Sequence, residues 1–332
     1  MGNELIVRPQ VPARRPEVSL PARIFGKRPV TVIKRSTVML ATVVALYFAG
    51  VGNWMHRIDA DLSFTPPQPV EGGSHAVDMA AALIERETVT HRWTPNDPIF
   101  FPTAFHDNMP NFQRGLMRAV SRFTMELESQ IGRLRGSSAI DRDLERAVGL
   151  LQFPTDVWIF DFDQSFLPVQ PADTQYIAAL SALRNYNERV ARGVASFETR
   201  ADALAMTLER MADELGSRAA VVDEHVSADG FIIDFVSDDI FYFNKGMAYA
   251  SYLLLRELGR DFDRVIVGAG LQRVWAQALD SLRLASQLQP LIVLNGSGAN
   301  SFFANHLHLQ GFYLKRAILQ LDEITRVIRA SR

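Results

Sequence analysis

Asp97, His106 and Asp107 lie close together in a stretch rich in proline and aromatic residues. A histidine between two carboxylates has the composition of a general base or of part of a metal site. The same side chains also cap turns and helix N-termini by accepting backbone N–H groups. Because the sequence offers no nearby nucleophile and no third ligand, we favour a capping role, carried out by Asp97, Asn96 and Asp107.

Asp161 and Asp163 form a second acidic pair, set beside Trp158 and several phenylalanines. Paired carboxylates next to aromatic rings are typical of enzymes that cleave sugars. Asp156 is the third acidic residue of this stretch. The spacing along the chain does not give the separation in space, so charged loop residues are the favoured interpretation. A hydrolase of cell-envelope glycans, using carboxylates of Asp97, Asp107, Asp161 or Asp163, is the alternative.

Lys245 is one of two lysines after residue 57 and lies beside the aromatic residues 241–243. A buried lysine with a lowered pKa can act as a base or a covalent nucleophile. Asp238 and Asp239 lie within helical reach of it, so we favour an ion pair with a structural role.

The sequence predicts no cofactor and no metal site. It contains no cysteine, and His306 and His308 are two residues apart, which on a helix directs them to different sides. The stretch Ile292–Ser301, IVLNGSGANS, is rich in glycine. It lacks the Gly-Lys-Ser/Thr ending of a phosphate loop and the third glycine of a dinucleotide fingerprint. We therefore interpret it as a turn between two helices.

The elements around these residues are organised by an apolar stretch, Ser36–Met55, which has 20 residues and no charge. A helix of that length reaches roughly 30 Å, the thickness of the hydrocarbon layer, so we predict a span of the lipid bilayer. A cleaved signal peptide is the alternative, disfavoured by the long basic region before the stretch. Small residues at spacing four (Thr37, Ala41, Ala45, Ala49) leave room for a homo-oligomer.

Charge is divided unevenly along the chain. Residues 1–57 hold nine of the 35 Lys and Arg residues and two of the 37 Asp and Glu residues, so residues 58–332 carry a net charge of −9. Basic residues beside a span stay in the cytoplasm. We predict a disordered cytoplasmic tail over 1–35 and a domain in the periplasm, anchored in the bacterial inner membrane. An acidic domain in which we find no basic stripe also predicts no nucleic-acid partner.

Hydrophobic periodicity predicts a mainly α fold, with one N-terminal transmembrane helix over 36–55 and a helical bundle with little or no sheet. Residues 56–92 read as a proline-rich spacer with a short helix at 77–87, and residues 93–332 as the helical domain. Expected N-caps are Asn111, Asp141 and Asp173, and Gly216 is the expected end of a helix that begins near Thr199. Later helices are expected over 238–258, 261–288 and 305–329. Phe231–Val236 is the best strand candidate, and 157–166 is a strand or an extended segment.

Two stretches, WTPNDPIFFPTAFHDNMPNFQRG (Trp93–Gly115) and GFYLKRAILQLDEI (Gly311–Ile324), carry a resemblance. The chain resembles a family of proteobacterial envelope proteins known only as a domain of unknown function. The matching positions are Trp93, Pro95–Pro98, Asp107–Phe112, Tyr186–Asn187, Lys245–Gly246 and Asn295–Gly296. The resemblance supports the predicted topology and implies no activity.

These observations lead to a membrane-anchored extracytoplasmic protein that serves as a scaffold or an accessory subunit of an envelope complex, without catalysis. We expect one or more protein partners in the envelope. A glycan hydrolase or a lipid-binding protein is the alternative, and a long apolar cavity between the helices would favour lipid binding.

Overall fold

The computed structural model describes residues 29–56, 58–104, 106–135, 141–160, 166–227, 235–290 and 306–331. The chain divides into two compact units, Met1–Tyr47 and Phe48–Arg332. Asp161, Asp163 and the loop predicted at Ile292–Ser301 lie outside the described residues. The predicted strand Phe231–Val236 lies outside them as well, except for its last two residues, which begin a helix.

The first helix, α1, spans Pro29–Ala45 and is followed by a π-helical segment at Leu46–Val51 and a short helix α2 at Gly52–Met55. Its start lies N-terminal to the predicted Ser36, because proline is well tolerated in the first turn of a helix. Residues Val32–Val51 are long and apolar enough to cross a membrane, with a mean hydropathy of 1.5. A membrane anchor and a signal sequence both have these properties.

The rest of the chain forms a helical bundle, which confirms the mainly α fold. Its helices are α3 (His75–Glu85), followed by a π-helical turn at Arg86–Thr90, then α4 (Asn108–Arg135), α5 (Arg142–Leu151), α6 (Ala172–Ala191), α7 (Ala201–Ser227), α8 (Phe235–Asp261), α9 (Asp263–Gly268), α10 (Gln272–Gln287) and α11 (His306–Ala330). The residues that the structure describes include no β-strand. The apolar faces of the helices meet in one large core, and a small second cluster lies around Phe241.

Helix α8 is central, because it packs against α3, α4 and α10, while α7 packs against α11. Two glycines allow α4 and α8 to touch through their backbones. A Cβ on Gly115 of α4 would lie 1.9 Å from Phe243 O, and one on Gly246 of α8 would lie 1.9 Å from Phe112 O. Only glycine fits at such a crossing, and the pair fixes how residues 108–135 face residues 235–261.

Three predicted helix ends were wrong. Helix α4 begins at Asn108, so Asn111 lies in its first turn, and Pro171 rather than Asp173 is the N-cap of α6. Gly216 lies inside α7, which continues to Ser227. A glycine can mark a helix end, but its cost inside a helix is only about 1 kcal/mol, which packing overrides.

The helix predicted over 261–288 is two helices, α9 and α10, separated at Ala269–Leu271. Gly270 has φ +66°, the left-handed conformation that ends a helix, and this signal was present in the sequence. The predicted cap Asp141 is confirmed, since its carboxylate accepts the N–H groups of Asp143 and Leu144 at 3.0 and 3.2 Å.

The proline-rich segment after the apolar stretch lies along α8. Arg256 donates to Leu62 O at 2.8 Å and to Phe64 O at 2.7 Å, and Tyr249 donates its hydroxyl to Asp61 O at 2.7 Å. The C-terminal end of α8 also holds the start of α3. There the Asp261 carboxylate accepts the N–H groups of His75 and Ala76 at 2.9 and 3.0 Å. Residues 61–76 are therefore a part of the domain.

Candidate functional site

Asp97 closes the loop that connects the π-helical turn to α4. One carboxylate oxygen pairs with the Arg92 guanidinium, and the other accepts a hydrogen bond from the Thr103 hydroxyl. Arg92 has φ +68° and stacks over the ring of Phe101, 4.4 Å from its centroid. Burial raises the pKa of Asp97, although Thr103 and Arg92 act against the rise. Its partners make Asp97 the tie that holds this loop.

His106 meets a residue that follows the apolar stretch, not a carboxylate of the loop. Its ring centroid lies 5.1 Å from that of His56. The His56 Nε2 atom accepts the N–H of Met109 at 2.8 Å in the first turn of α4. Burial and, to a smaller extent, the neighbouring His106 lower the pKa of His56 to about 4, so the ring is neutral at pH 7. A Cβ on Gly52 would lie 2.3 Å from Pro102 O, so the chain is in contact with the loop from Gly52 onward.

Asp107 belongs to a cluster of three aspartates where α4 and α8 begin. In the amide orientation that satisfies both groups, Asn108 donates to Asp238 at 2.5 Å and to Asp107 at 3.1 Å. Asn111 donates to Asp239 at 2.6 Å. Burial raises the pKa of Asp238 to about 6, and the neighbouring carboxylates of Asp107 and Asp239 contribute. Among the described residues, no group of three His, Asp and Glu side chains is arranged to hold a metal ion.

Lys245 is buried near the end of α10 and donates to Leu288 O at 2.6 Å. A carbonyl at a helix C-terminus has no partner within its own helix, so the ammonium group satisfies it. The described residues place no carboxylate within ion-pair distance of Lys245, and the pair predicted with Asp238 or Asp239 is not formed. Burial lowers the pKa of Lys245 to about 8.

The sequence analysis missed a buried ion pair in the π-helical turn after α3. The side chains of Arg86 and Glu87 are 5% and 0% exposed and lie 2.8 Å apart. Gln113 donates to Glu87 Oε2 at 3.1 Å, and the Arg86 guanidinium lies 4.8 Å from the ring centroids of Phe64 and Tyr249. Burial alone would raise the pKa of Glu87, but His91 and Arg86 lower it below its usual value. Both charges are thereby compensated.

A cleft of about 520 Å³ opens where α4 and α7 face the C-terminal end of α5. It contains four arginines and one carboxylate, namely Arg114, Arg118, Arg122, Arg218 and Glu214, and we call it the arginine cleft. The three arginines of α4 recur every fourth residue and therefore share one helix face. This spacing was visible in the sequence, where we found no basic stripe. The arginine and the carboxylate from α7 were not predictable, because no local pattern relates the two helices.

The structure thus separates the residues that we singled out. Asp97, His106 and Asp107 lie on one loop, but each has its own set of partners, while Lys245 supports the end of α10. The carboxylates of Asp161 and Asp163 lie outside the described residues. The arginine cleft contains none of the four that the structure describes, Asp97, His106, Asp107 and Lys245.

Comparison with known proteins gives one match. A family model described as an uncharacterized protein conserved in bacteria (DUF2333) matches residues 70–237, half of the chain. The matched part runs from the segment before α3 to the start of α8 and includes all five charged residues of the arginine cleft. This match confirms the resemblance to a family known as a domain of unknown function. No curated protein and no solved structure matches the chain.

Proposed function

This chain belongs to the DUF2333 family of bacteria, and we propose that it is a single-pass inner-membrane protein with a periplasmic helical domain. The domain acts as a scaffold or an accessory subunit of an envelope complex and performs no catalysis of its own. The topology follows from charge, because the tail before the span is strongly basic and the domain is acidic.

The observation that carries this proposal is the way in which the domain begins. The apolar helix candidate ends at Val51, and Gly52 and His56 already contact Pro102, His106 and Met109 of the domain. Residues 61–64 also lie on α8. Such a domain stays next to the membrane, where it positions another membrane-bound protein better than it reaches a distant substrate.

The loop that contacts Gly52 also exposes apolar side chains. Ile99 and Phe100 are 82% and 58% exposed. The ring of Phe100 lies 5.6 Å from that of Trp158, which lies 5.7 Å from that of Phe160. We call these four residues the aromatic patch. Exposed apolar patches mark interaction surfaces, and this one continues from the segment that leaves the membrane, so we assign it to a membrane-bound partner protein.

The test is extraction of the tagged full-length chain from its native membrane in a mild detergent. Mass spectrometry then identifies what co-purifies, and the particle mass gives the stoichiometry. We expect a protein partner in fixed ratio to the wild type and its loss from Ile99→Asp. Leu319→Asp is the matched control, because Leu319 is an exposed apolar side chain on α11, and it should retain the partner.

Three results would contradict the proposal. Purification of the wild type as a lone monomer or homo-oligomer would contradict the accessory role. Equal loss of the partner from both variants would exclude the aromatic patch as its binding surface. Partner-free protein whose Ile99→Asp variant no longer binds phospholipid vesicles would reassign the patch to the bilayer surface.

The glycan hydrolase has less support. Asp97 is engaged by Arg92 and Thr103, and Asn108 binds both Asp107 and Asp238, so these carboxylates are tied to structural partners. Enclosing the acyl chains of a lipid within the domain calls for a long apolar cavity, and the arginine cleft, which is lined by four arginines, is not a cavity of that kind.

A further inference from the structure

The arginine cleft contains more positive charge than its own residues neutralise. Four guanidinium groups face one carboxylate, which leaves a formal charge of +3 at the cleft. Residues 58–332 carry a net charge of −9, so the excess is local and opposes the character of the domain. Like charges held together and partly buried cost free energy, and an anion in the cleft would remove that cost.

Two of the arginines share one acidic side chain. Arg118 Nε donates to Glu214 Oε1 at 2.7 Å, and Arg122 Nε lies 3.0 Å from Glu214 Oε2. The second contact has the distance of an ion pair but not the direction of a hydrogen bond, and the Arg122 Nε atom is buried without a hydrogen-bond partner. Glu214 therefore compensates one charge and leaves donors of Arg122 unused.

The other two arginines have no acidic partner within the described parts of the chain. Arg218 is held in place, because its Nε donates to Asn244 Oδ1 at 3.0 Å and its guanidinium lies 4.4 Å over the ring of Phe243. Burial lowers the pKa of Arg218. Arg114 donates to Asn111 Oδ1 and to Pro95 O, each at 3.3 Å. Both side chains are positioned without being neutralised.

We propose that the arginine cleft binds an organic molecule through a phosphate group. The planar fork of arginine matches phosphate oxygens with two parallel hydrogen bonds, and several forks converge here. A phosphate monoester carries close to two negative charges, which suits a site with an excess of +3 better than a single carboxylate does.

The size and the walls of the cleft indicate what the phosphate is attached to. A volume of about 520 Å³ is in the range of sites for small organic ligands. Phe153 and Met125, which are partly exposed, give the lining of the cleft apolar surface, whereas Leu151, Tyr176 and Met117 of the same lining are buried. The ligand is therefore amphiphilic, with a phosphate at the arginines and a less polar body against Phe153 and Met125.

A lipid headgroup and a soluble phosphate ester share this chemistry. Glu214 competes with either of them for Arg118 and Arg122, and removing its charge frees both guanidinium groups. Opposite effects of changes at Glu214 and Arg118 are the signature of this site. The inference does not depend on the scaffold proposal, because binding in the cleft is measured without a protein partner.

The experiment is titration calorimetry on the full-length chain in an uncharged detergent. The probes are pyrophosphate, sn-glycerol 3-phosphate and dihexanoyl phosphatidic acid, with citrate as an anion without phosphorus. We expect Arg118→Met to weaken phosphate binding about 10- to 100-fold, the range for one charged hydrogen-bond partner. Glu214→Gln should tighten it several-fold. Arg283→Met is the matched control, since Arg283 is an exposed arginine paired with Asp280 on α10, and it should leave binding unchanged.

The order of the probe affinities distinguishes a lipid headgroup from a soluble phosphate ester. Tighter binding of phosphatidic acid than of the two soluble probes assigns a lipid headgroup, and the reverse order assigns a soluble phosphate ester. The proposal is overturned if no phosphorus-containing probe binds the wild type, if citrate binds more tightly than pyrophosphate, or if Arg118→Met and Arg283→Met weaken binding equally. Arg218→Lys keeps the charge without the fork and should also weaken binding, which guards against misfolding of a single variant.

Discussion

Arg86 in the π-helical turn and the arginines of the cleft differ in how far their positive charge is compensated. Arg86 is almost fully buried and has one carboxylate, one phenol and two aromatic rings as partners. In the cleft, two half-exposed arginines share Glu214, and neither Arg114 nor Arg218 forms an ion pair with an acidic side chain among the described residues. The more buried region is the one in which charge is fully compensated.

This difference separates groups that hold the fold from groups available for recognition. A buried charge persists only when its partners are inside the protein. A partly exposed excess of charge is tolerated because water screens it, and it remains open to an external anion. The π-helical turn should therefore control stability, and the arginine cleft should control binding.

The largest effect is expected where the backbones of α4 and α8 touch. Gly246→Ala places a methyl group 1.9 Å from Phe112 O, which forces α4 and α8 apart. We expect a loss of about 4 kcal/mol in the free energy of unfolding, above the usual cost of overpacking because the neighbour is a main-chain atom. Denaturant titration of tryptophan fluorescence measures it. Gly149→Ala in α5 meets nothing within 4 Å and should stabilise by about 0.5–1 kcal/mol.

The next effect tests the compensated pair. Glu87→Gln leaves Arg86 buried without a counter-charge, and we expect a loss of about 3 kcal/mol in the free energy of unfolding. The double variant Arg86→Met with Glu87→Gln should lose less than the two single variants added together, because no uncompensated charge remains. Additive losses in the same denaturant titration would show that the pair is not coupled.

A variant in the arginine cleft should change the free energy of unfolding much less than Glu87→Gln does. Arg118→Met removes one member of an excess, and its side chain is 45% exposed, so we expect a change below about 1 kcal/mol in the free energy of unfolding. The same titration compares it with Glu87→Gln. A loss near 3 kcal/mol would identify the cleft as a structural element and end the contrast between the two regions.

The smallest effect is expected at the three aspartates where α4 and α8 begin. This cluster holds an excess of negative charge. The pKa of Asp238 is raised from 3.8 to about 6, so the folded protein keeps a proton that the unfolded chain has released. Its contribution to stability is therefore full below pH 4 and is lost as the pH rises towards 6. We expect about 1 kcal/mol, because solvent screens this half-buried group.

Asp238→Asn should remove that part of the pH dependence, measured as the difference in melting temperature between wild type and variant from pH 4 to 7. A constant difference over this range would mean that Asp238 ionises normally.

The sequence was sufficient for the helices, because apolar residues at spacing three and four depend on neighbours in the chain. It failed where two signals compete. Gly216 is of the residue type that often ends a helix, but it lies inside α7, where a Cβ on it would lie 4.0 Å from Ile318 Cδ1 of α11. Asn111 has the composition of a cap, but its amide binds Asp239, which is 128 residues away. Non-local partners decided both cases.

The candidate sites were predicted less well for the same reason. The spacing of Arg114, Arg118 and Arg122 is local and could have been read as one face of a helix. Whether such a face is compensated depends on the opposite wall, and Glu214 and Arg218 come from another helix. Lys245 was singled out for its aromatic neighbours and its structural role was expected, but its partner Leu288 O depends on where α10 ends.

The contacts of the proline-rich segment also have a consequence for biogenesis. Leu62 and Phe64 are held by Arg256, and His75 by Asp261, groups that are synthesised about 190 residues later. At roughly 5–20 residues per second, the early segment waits about 10–40 s for its partners. During that interval Ile58, Leu62 and Phe64 have no core to cover them. The first part of the domain to emerge is thus completed by its last third, and its apolar side chains stay exposed until that part is synthesised.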